Sequence, residues 1–273
     1  MKKKGIDISA YQGDINFEAV SKEVDFAIIR CGWGAGHYDK YADSYAVGCA
    51  SHNIPFGFYW FSYALTPEMA KKEADYICDK ADKYNPTYPI CFDYEGDSYK
   101  YSVSKGIKPD KTLIKSLAEA FCNRVEERGY YAMIYTNIDY WNRGFGSLSS
   151  RYDIWLAQWK VSKPSKSCGI WQKSSTGKVA GINGNVDLDI AYKDYPVIIN
   201  NMNKNKKEDK EEKEKEKIAK LELLKTEHWN AYMELANSVI AGDWGNGTAR
   251  KRALNASGYD YNVVQKIVDI IMK

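Results

Sequence analysis

The stretch PICFDYEGDS, residues 89–98, decides how this chain is read. It starts as an apolar strand, Ile90, Cys91 and Phe92, and then places Asp93 and Glu95 with only Tyr94 between them. Acids are depleted in strands. Residues i and i+2 of a strand share a face, so Cys91, Asp93 and Glu95 point one way while Ile90, Phe92 and Tyr94 point the other. In a parallel barrel the apolar set meets an outer helix layer. The acidic set then points inward and rises toward the C-terminal mouth, where barrel enzymes keep their chemistry.

The flanking sequence supplies such a barrel. Short β-type runs recur at 5–9, 26–31, 55–61, 88–93, 131–136, 153–158, 168–173 and 186–190. Helical patterns lie between the early ones. Thr66 reads as an N-cap with Pro67 at the first helical position, and Ala70, Ala74, Ile77 and Ala81 follow as one apolar stripe. Asp110 caps the next helix, whose stripe is Leu113, Leu117, Phe121 and Val125. Shorter amphipathic pieces fit after Asn16 and after Tyr38. Strand–helix alternation implies parallel strands joined by crossovers. After Thr136 the spacing shortens and long helices disappear. The expectation is an α/β fold, a flattened (β/α)5(β)3 TIM-like barrel with little outside its last three strands. An open doubly wound sheet would show helices throughout and a Gly-rich phosphate turn. The run Cys31-Gly32-Trp33-Gly34-Ala35-Gly36 lacks that fingerprint.

Composition narrows the function classes. A hydrophobic fraction of 44% supports a packed core and excludes wholesale disorder. A net charge of +3 with no basic stripe argues against nucleic acid. The six Cys show no CxxC spacing, and His37, His52 and His228 are not at metal-ligand spacing from them, so the Cys read as small buried hydrophobes and no metal or other cofactor is expected. There is no apolar run for a signal peptide or a membrane-spanning helix. Synthesis in the cytoplasm without membrane insertion is therefore expected.

Near Tyr195 the composition changes. Residues 201–217, NMNKNKKEDKEEKEKEK, carry seven Lys against six acids and read as a solvated linker. Asp209 with Lys213 and Glu211 with Lys215 are good i,i+4 pairs, so part of it is compatible with helix. Ile218, Leu221 and Leu224 hint at a short apolar seam. A small three-helix module follows: Leu235, Ala236, Val239 and Ile240 on one face, Gly258 stopping a second helix, and Asp260 capping a third that carries Val263, Val264, Ile267, Val268 and Ile271. The expected boundaries are 1–198 for the barrel, 199–226 for the linker and 227–273 for the module.

Two more acids belong with Asp93 and Glu95. Asp7 lies in the first strand and Asp187 in the last, and these strands are neighbours in a closed barrel. Clustered buried acids raise one another's pKa, which suits a general acid that must stay protonated near neutral pH.

The series GIDISAYQG (5–13), FAIIRCGWG (26–34), FGFYWFSYA (56–64), FDYEG (92–96), IYTN (134–137), IWLAQW (154–159), GIWQKSS (169–175) and NVDLDIAY (185–192) resembles glycoside hydrolase family 25, the muramidases or lysozymes common as phage endolysins and autolysins. The resemblance implies hydrolysis of the β-1,4 bond from N-acetylmuramic acid to N-acetylglucosamine. It implies Glu95 as general acid and Asp93 as the group that stabilises developing positive charge by orienting the substrate's own N-acetyl group as nucleophile, with Asp7 and Asp187 tuning charge and positioning sugar. Tyr59, Tyr63 and Tyr135 would line the cleft, with Arg30, Asn137, Trp155, Gln158, Trp171 and Gln172 as further substrate-binding candidates. The turn Tyr11-Gln12-Gly13-Asp14 departs from the family's usual aromatic-free turn.

Residues 235–268 resemble the Cpl-seven type cell-wall-binding repeat, with Trp244 and Arg250 as candidate contacts to the muropeptide. Bacterial peptidoglycan is the expected partner, reached after release from the cell with holin assistance. Self-association through residues 206–235 would reinforce a single weak site. Two rivals stay open: a non-catalytic wall-binding protein on a degenerate barrel, and a metal-dependent peptidoglycan hydrolase using the same acids.

Overall fold

The computed structural model describes residues 2–205 and 229–272. They form two compact units, Met1–Lys207 and Glu208–Lys273.

Eight strands close the barrel of the first unit: β1 (Lys3–Ile8), β2 (Phe26–Trp33), β4 (Phe56–Phe61), β5 (Ile90–Asp93), β6 (Ala132–Asn137), β7 (Asp153–Ala157), β8 (Ile170–Gly177) and β9 (Val186–Ala191). β1 pairs with both β2 and β9, which seals the sheet. Neighbours from β1 through β8 run parallel, whereas β9 is antiparallel to β8 and to β1. An antiparallel partner needs only a hairpin, so no helix is required on that side. The two-residue β3 (His37–Tyr38) folds back on β2 outside the barrel.

The helices fall where the alternation expects them. α1 (Phe17–Val20), α2 (Ala42–Ser51) and α3 (Pro67–Ala81) link the first four barrel strands, and α4 (Gly96–Ser104) with α5 (Lys111–Glu127) links β5 to β6. After β6 comes only the five-residue α6 (Ile138–Asn142), and α7 (Tyr195–Asn201) follows β9. The caps act as read: Thr66 Oγ1 accepts from Met69 N at 3.3 Å and Asp110 Oδ1 from Leu113 N at 2.8 Å.

The two faces of β5 separate as its alternation requires. Ile90, Phe92 and Tyr94 pack with Leu117, Phe121 and Val125 in the helix-facing core. Cys91 packs with Phe26, Ile28, Tyr88, Met133 and Trp155 inside the barrel. The barrel floor is crowded. Phe26 stacks on Tyr88 at 4.5 Å, and a Cβ on Gly5 would lie 2.3 Å from the Phe26 ring, so only glycine admits that ring beneath β1.

The chain stays on the barrel beyond the expected boundary at 198. Ile199 of α7 is buried in the barrel core. Asn205 is buried too, its amide donating to Pro86 O and Tyr88 O at 2.9 Å each and its oxygen accepting from Tyr131 N at 2.7 Å. Asn tolerates the left-handed backbone found there, φ 56°. The expected linker pairs and the seam of Ile218, Leu221 and Leu224 lie outside the described residues.

The second unit holds α8 (Trp229–Ala241), α9 (Gly247–Ala256) and α10 (Tyr261–Ile271). Leu235, Ala236, Val239, Leu254, Val264, Ile267 and Val268 form its core. Gly258 (φ 83°) follows α9, and Asp260 caps α10 by accepting from Asn262 N at 2.8 Å. Ile240 and Ile271, expected on the apolar faces, are 38% and 41% exposed. Each sits at a helix end, where the stripe has run past the core.

Candidate active site

The C-terminal ends of the strands deliver the acids. β5 brings up Asp93, in register with Phe61 of β4 and Tyr135 of β6. The strand then stops, and Glu95 becomes the N-cap residue of α4, its backbone N donating to Ser98 Oγ at 3.1 Å. Asp7 of β1 pairs in register with Asp187 of β9. All four acids line one cleft of about 220 Å³, together with Arg30, Tyr59, Tyr135, Trp155 and Gln172 from the predicted set.

The cleft is internally cross-linked. Gln172 Nε2 donates to Asp7 Oδ2 at 2.8 Å, and its Oε1 accepts from Tyr135 Oη at 3.1 Å. The Tyr135 and Trp155 rings meet edge to face at 4.7 Å. Arg30 places Nε and Nη2 each 2.8 Å from Asp39 Oδ2, and its guanidinium lies 5.1 Å from the Tyr11 ring and 5.3 Å from Trp33. Asp39 also accepts from Ala10 N at 3.0 Å and Tyr41 N at 2.9 Å, so one carboxylate holds both the β1 turn and Arg30.

Burial is the leading electrostatic influence. It lifts Asp93 well above the usual carboxylate range, reinforced by Glu95 and opposed by Arg30. It lifts Glu95 to about 7, with Asp97 and Asp187 adding to the rise. Asp7 is raised well above its usual value by burial and by Asp189 and Asp187, and Asp187 is raised by burial. Burial also keeps the Tyr59 and Tyr135 phenols protonated, as hydrogen-bond donors. Asp93 Oδ1 is buried with no hydrogen-bond partner among the described residues. The arrangement offers an acid that still holds a proton near neutral pH beside a second carboxyl group whose oxygen no protein donor occupies.

Four predicted residues fall outside this cleft. Tyr63 lines an adjoining groove of about 440 Å³ with Tyr11, Arg30, Trp33, Phe61 and Asp97. Asn137 spends its side chain capping α6, accepting from Tyr140 N at 3.0 Å. Gln158 accepts from Ser165 N at 2.8 Å and braces its own loop. Trp171 sits between inward-facing Ile170 and Gln172 and so faces outward, donating to Gln158 O at 2.8 Å.

Other residues at the site escaped the sequence reading. Tyr11, 86% exposed, lines both cleft and groove, and its signal was the aromatic in an otherwise aromatic-free turn. Asp189 faces inward two positions after Asp187, a signal the i,i+2 rule contains; burial raises it to about 7. Trp159, half-exposed, donates to Gln172 Oε1 at 3.1 Å. Asp39 carries no local sequence signal. In the second unit, Trp244 Nε1 donates to Ser238 Oγ at 2.7 Å, while Arg250 reaches Gly245 O and Asn246 Oδ1 at 2.9 Å. Among the described residues no group of three or more His, Cys, Asp or Glu has metal-holding geometry.

Comparison with known proteins places this geometry. The family model for glycosyl hydrolases family 25 matches residues 6–182, and that for the CW_7 repeat matches residues 233–272. Lysozyme M1 of Streptomyces globisporus is 28% identical over 197 residues, covering 67% of this chain and 66% of its own. The autolytic lysozyme of Clostridium acetobutylicum is 26% identical over 189 residues, covering 68% and 55%. The chain thus spans about half to two thirds of the length of these relatives. Among solved structures, the bacterial lysozyme of Streptomyces coelicolor superposes with a TM-score of 0.63 at 25% identity, covering 73% of this chain and 98% of that one. The acid-lined barrel mouth and a family match over well over half the sequence lead to one assignment: the chain belongs to glycosyl hydrolases family 25 and carries a CW_7 repeat behind its barrel.

Proposed function

We propose that this chain cleaves the β-1,4 bond from N-acetylmuramic acid to N-acetylglucosamine in bacterial peptidoglycan, with the repeat holding it to the wall. The observation that carries the reading is the pair Asp93 and Glu95 in one cleft, with Glu95 raised to about 7. Glu95 is the general acid. It is the less buried of the two and sits where the strand opens into the mouth, so it reaches the glycosidic oxygen. Asp93 lies deeper, and its unpartnered Oδ1 accepts the substrate's N-acetyl N–H. That hydrogen bond favours the ionised form of Asp93. The acetamido oxygen, held in place, then attacks the anomeric carbon as the glycosidic C–O bond breaks and Glu95 protonates the leaving oxygen; water, giving its proton to Glu95, opens the resulting oxazolinium ring. Asp7 and Asp187, tied to Gln172 and across the strand pair, keep the cleft acidic and position sugar. Tyr11, Tyr63 and Trp33 supply flat faces for neighbouring sugars. Names of relatives, a lysozyme and an autolytic lysozyme, support the same substrate. Trp244 and Arg250 shape the repeat's surface for muropeptide, and weak single-site binding is reinforced by self-association of the tail.

The test is mass spectrometry of fragments released from purified walls, with and without chelator. New reducing ends on N-acetylmuramic acid, insensitive to chelator, are expected. Release with reducing ends on N-acetylglucosamine, or none, overturns the reading, and chelator-sensitive release points to the metal-dependent rival. Glu95→Gln should lose about 10²–10⁴-fold in rate while remaining folded. Because the acid works protonated, wild-type kcat/KM should fall as pH rises through about 7.

A further inference from the structure

Glu73 is a buried acid that the proposed chemistry does not use. It sits on α3 and is 3% exposed. Its side chain reaches back to the corner joining β4 to α3. Oε1 accepts from Tyr63 N at 2.9 Å, and Oε2 lies 2.5 Å from Ser62 Oγ. Ser62 Oγ in turn accepts from Ala64 N at 3.2 Å, so three consecutive residues are pinned to one carboxyl group.

The corner touches the site at two points. Ser62 N donates to the Asp93 carbonyl at 2.7 Å, the last rung between β4 and β5 before Glu95. Tyr63 sets its ring into the aromatic groove, against Tyr101 at 5.0 Å. A Cβ added at Gly34, opposite, would lie 3.2 Å from Tyr63 Cδ2, so glycine there leaves the ring its place.

We propose that Glu73 is a positioning residue for hydrolysis: through Ser62 and Tyr63 it fixes both the backbone that carries Asp93 and one aromatic wall of the substrate groove. This rests on the reading of the cleft given above. Burial pushes Glu73 up to about 8, opposed by its bonds from Ser62 and Tyr63. Tyr63 N donates to one carboxyl oxygen and Ser62 Oγ to the other. A glutamine keeps the acceptor for Tyr63 N in the same shape, and its amide N–H reaches Ser62 Oγ with the hydroxyl turned to accept. A leucine offers neither and takes the partner from the half-buried Tyr63 N–H.

The experiment measures kcat and KM on soluble glycan fragments for the full chain and six variants, Tyr63→Ala alone among them, with circular dichroism and Tm for each. Glu73→Gln should stay within about threefold of wild type, a change below 1 kcal/mol. Glu73→Leu should lose about 10–100-fold in kcat/KM, with kcat falling and KM rising, since small displacements of catalytic geometry cost that much. Ile77→Val, on the same helix in the outer core, should lower Tm without changing either constant. If Glu73→Leu does not fold, Ser62→Ala serves alone and should lose at least about threefold in kcat/KM. Adding Tyr63→Ala to Glu73→Leu should cost less than the sum of the two, because they act through one ring. Wild-type constants in Glu73→Leu or in Ser62→Ala overturn the inference, as does a Glu73→Gln enzyme as impaired as Glu73→Leu. A wild type inactive on these fragments fails the underlying reading instead, so the two failures are distinguishable.

Discussion

Asp189 lies one step deeper than Asp187, opposite Gly5 instead of Asp7. One oxygen accepts from Trp155 Nε1 at 2.7 Å, and the other is buried with no partner among the described residues. Burial is the first cause of its rise to about 7, with Asp187 adding to it. The sign of its effect on stability follows. A carboxyl group whose folded pKa is raised stabilises fully below the unfolded value near 3.9 and loses that contribution as pH rises through about 7. Asp189→Asn keeps the acceptor for Trp155 but cannot ionise. It should raise the Tm of the barrel at pH 8, by at least about 2 °C, and leave it near wild type at pH 4. Calorimetry at the two pH values decides it, and an equal shift at both would sink the electrostatic account. The four acids of the cleft were legible because the i,i+2 rule and strand order converge on one mouth. Asp189 obeyed the same rule and was passed over. Asp39 was not legible at all, because its task depends on where the β2–β3 turn brings it relative to Arg30 and Ala10. Asn137, Gln158 and Trp171 carry suitable chemistry, yet their polar atoms are spent on a helix cap and a loop.

At the scale of elements, all eight barrel strands and the two long helices were readable from periodicity and caps. What failed were short pieces and ends. β3 has two residues, too few for a period. α7 has a proline at its start and no amphipathic run long enough to announce that it closes the barrel floor. The turn after α7 is where local sequence says least and tertiary contact does most. Asn205 fills a position that needs a left-handed backbone and four polar contacts, to Pro86 O, Tyr88 O, Tyr131 N and Gly129 O. Asn205→Ala removes three of the four and leaves the carbonyls of Pro86 and Tyr88 buried. Each buried group left unsatisfied costs about 1–3 kcal/mol. The variant should unfold at visibly lower urea, with kcat on soluble fragments unchanged while folded, because the floor lies at the opposite end from the acids. An unchanged midpoint would mean that the turn does not hold the floor.

At the scale of the molecule, every acid assigned to chemistry belongs to the first unit and none to the second. Among the described residues the second unit has a core of seven buried side chains from three short helices, and Trp244 is half-buried at its edge. A chain ending just after Asn205 keeps α7 and the floor contacts. It should fold and cleave soluble glycan fragments at nearly the full-length rate. A chain ending at Tyr195 loses buried Ile199 and Asn205 and should melt at lower temperature, so a boundary drawn by composition alone would mistake an unstable barrel for a missing domain function. On intact walls both should be slower than the full chain. A tethered second site adds about 10²–10⁴ in avidity when geometry allows, and one repeat should give the low end of that range. Residues 206–273 alone should sediment with walls without clearing them, and Trp244→Ala should weaken that binding. If the isolated tail stays in the supernatant where the full chain sediments, targeting does not reside in the repeat. If the chain ending after Asn205 is folded by circular dichroism yet inert on soluble fragments, the chemistry does not reside in the barrel alone.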